Sequence, residues 1–120
     1  DIWAIRGYAW SLHTKARLYM TMGEKLDVAQ VLLCDARDLR NKEITRADMG
    51  LKEDLVKNYL DLFLSKGGKD GGPELVKEIS KKIQKLVDKI REKEGSTVRI
   101  QRLLDKIRES GLVINAPGCP

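Results

Sequence analysis

Histidine and cysteine are nearly missing from this chain of 120 residues, which holds one His, His13, and two Cys, Cys34 and Cys119. So few ligands, so widely separated, exclude an ordinary structural zinc site built within the chain. Two cysteines are also too few for the disulfide framework of a small secreted domain, so a reducing intracellular compartment, cytoplasmic or nuclear, is expected. No apolar run approaches the ~20 residues of a membrane span, and no charged-then-apolar leader opens the sequence, so no membrane partner is expected. Asp1 in place of an initiator Met suggests an excised domain or a processed product.

Aromatic residues are also scarce, at 5%, and four of the six (Trp3, Tyr8, Trp10 and Tyr19) fall in the first segment. Apolar residues make up 42% and charged residues 34%, a balance that excludes wholesale disorder. The 23 Lys and Arg against 18 Asp and Glu give a net charge of +5. This mild bias favours anionic partners, but the charges are interleaved and read mainly as a solvated surface.

Leu, Ile, Val and Ala recur among Lys, Glu, Asp and Arg at helical spacing, so the predicted fold class is all-α, a bundle of about five helices. Ile5, Ala9, Leu12, Ala16 and Tyr19 place one stripe on a helix from Ile2 to Met22, which Gly23 ends. Val28, Leu32, Ala36 and Leu39 mark a second helix from about Lys25 to Arg40, antiparallel to the first. Thr45 or Asp48 can cap a third that runs to Ser65 through Leu51, Leu55, Tyr59, Leu62 and Phe63.

The glycines of Gly67-Gly68-Lys69-Asp70-Gly71-Gly72 read as a flexible linker. They do not read as a phosphate loop, which would follow a strand and end in Gly-Lys-Ser/Thr. Pro73 restarts the chain as a helix to about Glu94, with Val76, Ile79, Ile83, Leu86 and Ile90 forming a coiled-coil-like seam. Gly95 closes it, Ser96 or Thr97 caps a fifth helix from Val98 to Ser110, and Gly111 stops that one.

Residues 83–92 are nearly restated at 100–109, which suggests that the last two helices share a face and pair as a hairpin. The expected organisation is therefore a three-helix unit over 1–66, a linker over 67–73, a helical hairpin over 74–111 and an extended tail over 112–120.

No catalytic constellation emerges, and neither enzyme activity nor a cofactor is expected. Leu12-His13-Thr14-Lys15 is similar to the His-x-x-Lys-Gly pattern of histidine phosphotransfer domains, but the lysine comes one position early and no glycine follows. His13 is read instead as a surface or partly packed residue. Cys34 is read as a buried inert thiol, and the pairs Asp35 with Asp38 and Asp54 with Asp61 as solvated.

Ile100, Leu103, Leu104 and Ile107, followed by Gly111-Leu112-Val113-Ile114, resemble the recognition helix and following turn of winged helix-turn-helix domains. That resemblance implies DNA contacts from Arg99, Gln101, Arg102 and Lys106. The long fourth helix and the turn from Lys93 to Val98 depart from the pattern, and a second wing strand is absent. Ala16, Tyr19, Gly23, Ala29 and Ala36 are similar to the small and aromatic positions of tetratricopeptide-type hairpins, with one residue too many between Gly23 and Ala29; that likeness implies protein binding.

The leading expectation is a non-enzymatic protein-interaction or assembly domain that binds another protein or a second copy of itself. Its surface is expected on the hairpin, at Leu75, Val87, Leu103 and Leu104, because the seam carries more apolar side chains than one hairpin buries. The alternative is nucleic-acid binding through the fifth helix.

Overall fold

A computed structural model describes residues 2–43, 49–94 and 98–112. Five helices follow one another: α1 (Ile2–Met22), α2 (Leu26–Glu43), α3 (Met49–Ser65), α4 (Pro73–Glu94) and α5 (Val98–Glu109). No strand occurs among the described residues. The caps expected from Thr45, Asp48, Ser96 and Thr97, the stop at Gly95 and the tail beyond Leu112 with Cys119 lie outside the described residues.

α1 turns into α2 through a motif that satisfies the last carbonyls of the helix. The Gly23 N–H donates to Met20 O at 3.1 Å and the Glu24 N–H to Tyr19 O at 3.2 Å, with Gly23 in the left-handed region at φ 68°. The tight turn lays α1 and α2 against each other in the most extensive helix contact of the fold. α2 then packs on α3, and α3 on α4.

α3 is the centre of the molecule. Leu51, Leu55, Val56, Asn58, Tyr59, Leu60, Leu62 and Phe63 are all buried, so most of the helix is covered, while exposed Leu64 and partly covered Glu53, Lys57 and Asp61 form its one open edge. The seam residues Ile79, Ile83, Leu86 and Ile90 of α4 and Ile100, Leu103, Leu104 and Ile107 of α5 join the same buried cluster as Ala16, Ala29 and Leu33 of the first two helices. α4 and α5 make few close backbone approaches to each other. Both helices contribute their apolar faces to the shared core.

The glycine segment is a packed turn, which corrects its reading as a flexible linker. Gly68–Gly71 forms a single 3₁₀ turn between α3 and α4, with Gly68 buried. Gly67 and Gly72, at φ 99° and 103°, carry the left-handed conformations that reverse the chain. A Cβ on Gly71 would lie 2.7 Å from Lys66 O and 2.5 Å from Leu75 Cδ2, so at Gly71 the chain passes too close to its neighbours for a side chain.

Candidate functional site

The stripes read in the sequence hold at Ala9, Ala16 and Ala36, but the buried positions between them shift by one residue, from Leu12 to His13 on α1 and from Val28, Leu32 and Leu39 to Ala29, Leu33 and Arg40 on α2. The buried line of α1 contains Ala9, His13 and Ala16, and that of α2 contains Ala29, Leu33, Ala36 and Arg40. Val28 is exposed, while Leu12, Leu32 and Leu39 are only partly covered. The displacement brings two polar side chains into the interior, where α3 supplies their partners.

Arg40 is fully buried. One of its terminal nitrogens donates to Asn58 Oδ1 and to His13 Nδ1, each at 2.8 Å. Because Nδ1 accepts, the proton of a neutral imidazole sits on Nε2, which donates to Asp61 Oδ2 at 2.6 Å. Trp10 stacks on His13 at 4.7 Å between centroids and 7° between planes, and the Arg40 guanidinium lies 4.7 Å from the Trp10 ring. Asn58 completes its own amide by donating to Leu33 O at 3.0 Å.

Arg40 still has two buried nitrogens, Nε and Nη2, with no hydrogen-bond partner among the described residues. Burial pushes its pKa down to about 10, below the usual arginine range; Asp54 and Asp61 oppose the shift, and Arg6 adds to it. Asp54 is occupied by Arg6 Nε at 3.0 Å. His13 is thus neither at the surface nor partly packed, and Asp54 and Asp61 are not solvated carboxylates: Asp54 is buried, and Asp61 is mostly covered. With both ring nitrogens engaged and the ring wholly enclosed, His13 presents no free lone pair to a substrate in this arrangement. No group of three or more His, Cys, Asp or Glu able to hold a metal occurs among the described residues.

The surface residues named from the sequence fare unequally. Val87, Leu103 and Leu104 are buried in the core, and Leu75 packs partly against it. The expected interaction surface is therefore interior: the apolar excess of α4 and α5 is absorbed by α3. Gln101, Arg102 and Lys106 are exposed on α5, whereas the side chain of Arg99 is outside the described residues. Arg102 and Lys106 line a groove of about 410 Å³ with Glu53 and Lys57 of α3. Lys106 also reaches a second groove, of about 310 Å³, with Arg17, Lys57, Asp61 and Glu109. Cys34 is half-buried and free, and Asp35 and Asp38 are exposed as expected.

Exposed large apolar side chains also occur on α2 (Leu26, Val28 and Val31), at Leu64 and at Val98, but the larger ones gather on α1. Trp3 is 71% exposed, Leu18 59% and Met22 53%, and Tyr8 is similarly open. Ala4, Gly7, Ser11, Thr14 and Lys15, interleaved at three- and four-residue steps, are exposed too, so an entire face of a long helix carries one charge, on Lys15. Gly7 sits inside this helix at an ordinary φ, and a Cβ added there meets nothing within 4 Å. A glycine in a helix interior costs roughly 0.5–1 kcal/mol relative to alanine, and nothing within the fold accounts for it. Sequence reading passed over this face because its aromatics looked like core anchors.

Comparisons with protein-family models, curated protein sequences and solved structures found no match to the chain.

Proposed function

We propose that this chain is a protein-interaction module that docks a partner through the outward face of α1. The observation that carries the reading is the run of Trp3, Tyr8, Leu18 and Met22 in water on one helix. Exposed large apolar side chains occur singly on any protein, but gathered along one helical face that carries a single charge they mark an association surface. Immobilised full-length chain is expected to capture a defined protein from an extract of its own cells, and the Leu18→Glu, Met22→Glu double variant to lose it. Equal capture by a variant of unchanged circular dichroism and melting temperature would refute the reading.

Nucleic-acid binding is the second reading, favoured by the convergence of Lys57, Arg102 and Lys106 on one groove, with Arg17 beside the next. Glu53, Asp61 and Glu109 line the same grooves and weaken the field. A duplex ligand should then bind with a steep salt dependence whose slope falls by about one for each of Arg102→Ala and Lys106→Ala. Binding that is absent at low salt removes this alternative.

A further inference from the structure

We infer that the partner seated on α1 is an acidic amphipathic helix that crosses α1 closely at Gly7; this rests on the reading of α1 as the docking face. Two independent observations specify that occupant. The first is the waist of small residues, Ala4, Gly7 and Ser11, exposed between the larger Trp3, Tyr8 and Leu18. Gly7 has open space where a side chain would stand, so the fold tolerates any residue there, and yet the helix carries its least favourable ordinary one. A backbone approaching from outside gains from that space, because a helix without side chains at the crossing point lets a second helix come nearer and bury more of its flanks.

The second observation is charge. Residues 2–22 include Arg6, Lys15 and Arg17 and no Asp or Glu. Lys15 is exposed on the docking face, and Arg17, 57% exposed, lies at its edge with Asp61 at 3.6 Å. A helix with a stripe of small and aliphatic residues, flanked by Asp or Glu, complements both the shape and the charge of this face. A second copy of the chain fits less well, since its α1 brings no carboxylate for Lys15 and its Asp61 is already engaged by His13 and Arg17. A lipid surface fits poorly too: acyl chains reward bulky side chains, and Gly7, Ser11 and Thr14 offer them little.

The experiment uses the full-length chain and two synthetic helical peptides with the same Ala and Leu stripe, one flanked by Glu and one by Lys, titrated by amide NMR. The Glu peptide is expected to shift Gly7, Ser11 and Leu18 and to bind at least tenfold more tightly than the Lys peptide. Gly7→Leu should reduce that affinity at least tenfold with no loss of melting temperature, and Lys15→Glu should narrow the preference for the Glu peptide.

Equal binding of the two peptides, or binding of neither at α1, overturns the acidic-helix assignment. If the capture experiment still depends on Leu18 and Met22, the docking face itself stands and only its occupant is wrong. Concentration-dependent dimers in sedimentation that Gly7→Leu dissolves would assign the face to a second copy. Anionic vesicles bound more strongly by Gly7→Leu than by wild type would assign it to a membrane. Either result overturns the proposal.

Discussion

At Arg40 a guanidinium is held out of water with only one of its three nitrogens hydrogen-bonded. Its depressed pKa states the cost: the charged form is less favourable in the folded chain than in the unfolded one. Because the folded value is about 10 and the ordinary value lies well above it, the unfolded chain holds more of this proton only from about pH 10 upward. The cost is relieved there as pH rises, and below about pH 9 it is constant, so Arg40 is no switch near neutrality. The charge is retained because His13 Nδ1 and Asn58 Oδ1 would otherwise be orphaned. Arg40→Met removes the buried charge and leaves both acceptors unpaired, and at ~1–3 kcal/mol for each unsatisfied group the acceptors win. We expect Arg40→Met to destabilise the chain by about 1–3 kcal/mol in urea unfolding. Adding Asn58→Leu should return about 1 kcal/mol or more, as a double-mutant cycle would measure; strictly additive effects would mean the two residues are not coupled. The same network explains what the sequence concealed. The stripes of α1 and α2 were drawn through Leu12, Leu32 and Leu39, beside the buried His13, Leu33 and Arg40, because periodicity assigns polar side chains outward and cannot see partners from a third helix.

Elements, by contrast, were legible wherever local chemistry decides them. The bounds of α1 and α4 match the expectation to the residue, since Gly23 and Pro73 act through their own backbones. α3 and the seam of α4 were read correctly because their large apolar residues, from Leu51 to Phe63 and from Ile79 to Ile90, themselves fill the core positions. The glycine segment was misread because flexibility and tight crossing ask for the same residue, and only the position of Leu75 and Lys66 O separates them. One substitution therefore has opposite signs at two sites. Gly71→Ala must move Leu75 or the Lys66 carbonyl, and we expect a loss of about 1–3 kcal/mol. Gly7→Ala meets nothing and should gain up to about 1 kcal/mol from helix propensity alone. Paired thermal melts decide it: equal effects at the two sites would contradict the packed turn.

For the whole molecule the question is whether the chain is one cooperative body or two units on a tether, and a buried cluster shared by all five helices leads us to expect the first. Leu33 on one flank and Ile83 on another belong to a single buried cluster that runs through all five helices. Removing α4 and α5 would leave Tyr59, Leu60 and Phe63 with much of their cover gone. A defect in α4 must accordingly be felt in α1. Ile83 is fully buried, and Ile83→Ala should cost about 2–5 kcal/mol, a large share of the ~5–15 kcal/mol that holds a domain of this size together. In a Trp3→Phe background Trp10, on α1, is the only tryptophan, so its fluorescence reports the far side of the molecule from the lesion. We expect its midpoint to fall together with the helical signal at 222 nm, by roughly 3–6 °C for each kcal/mol lost. A tethered pair of units would behave differently, with the Trp10 transition left in place while part of the helical signal melts early. Coincident curves would also mean that a partner held on α1 stabilises α4 and α5, since whatever binds only the folded chain shifts the single equilibrium they share.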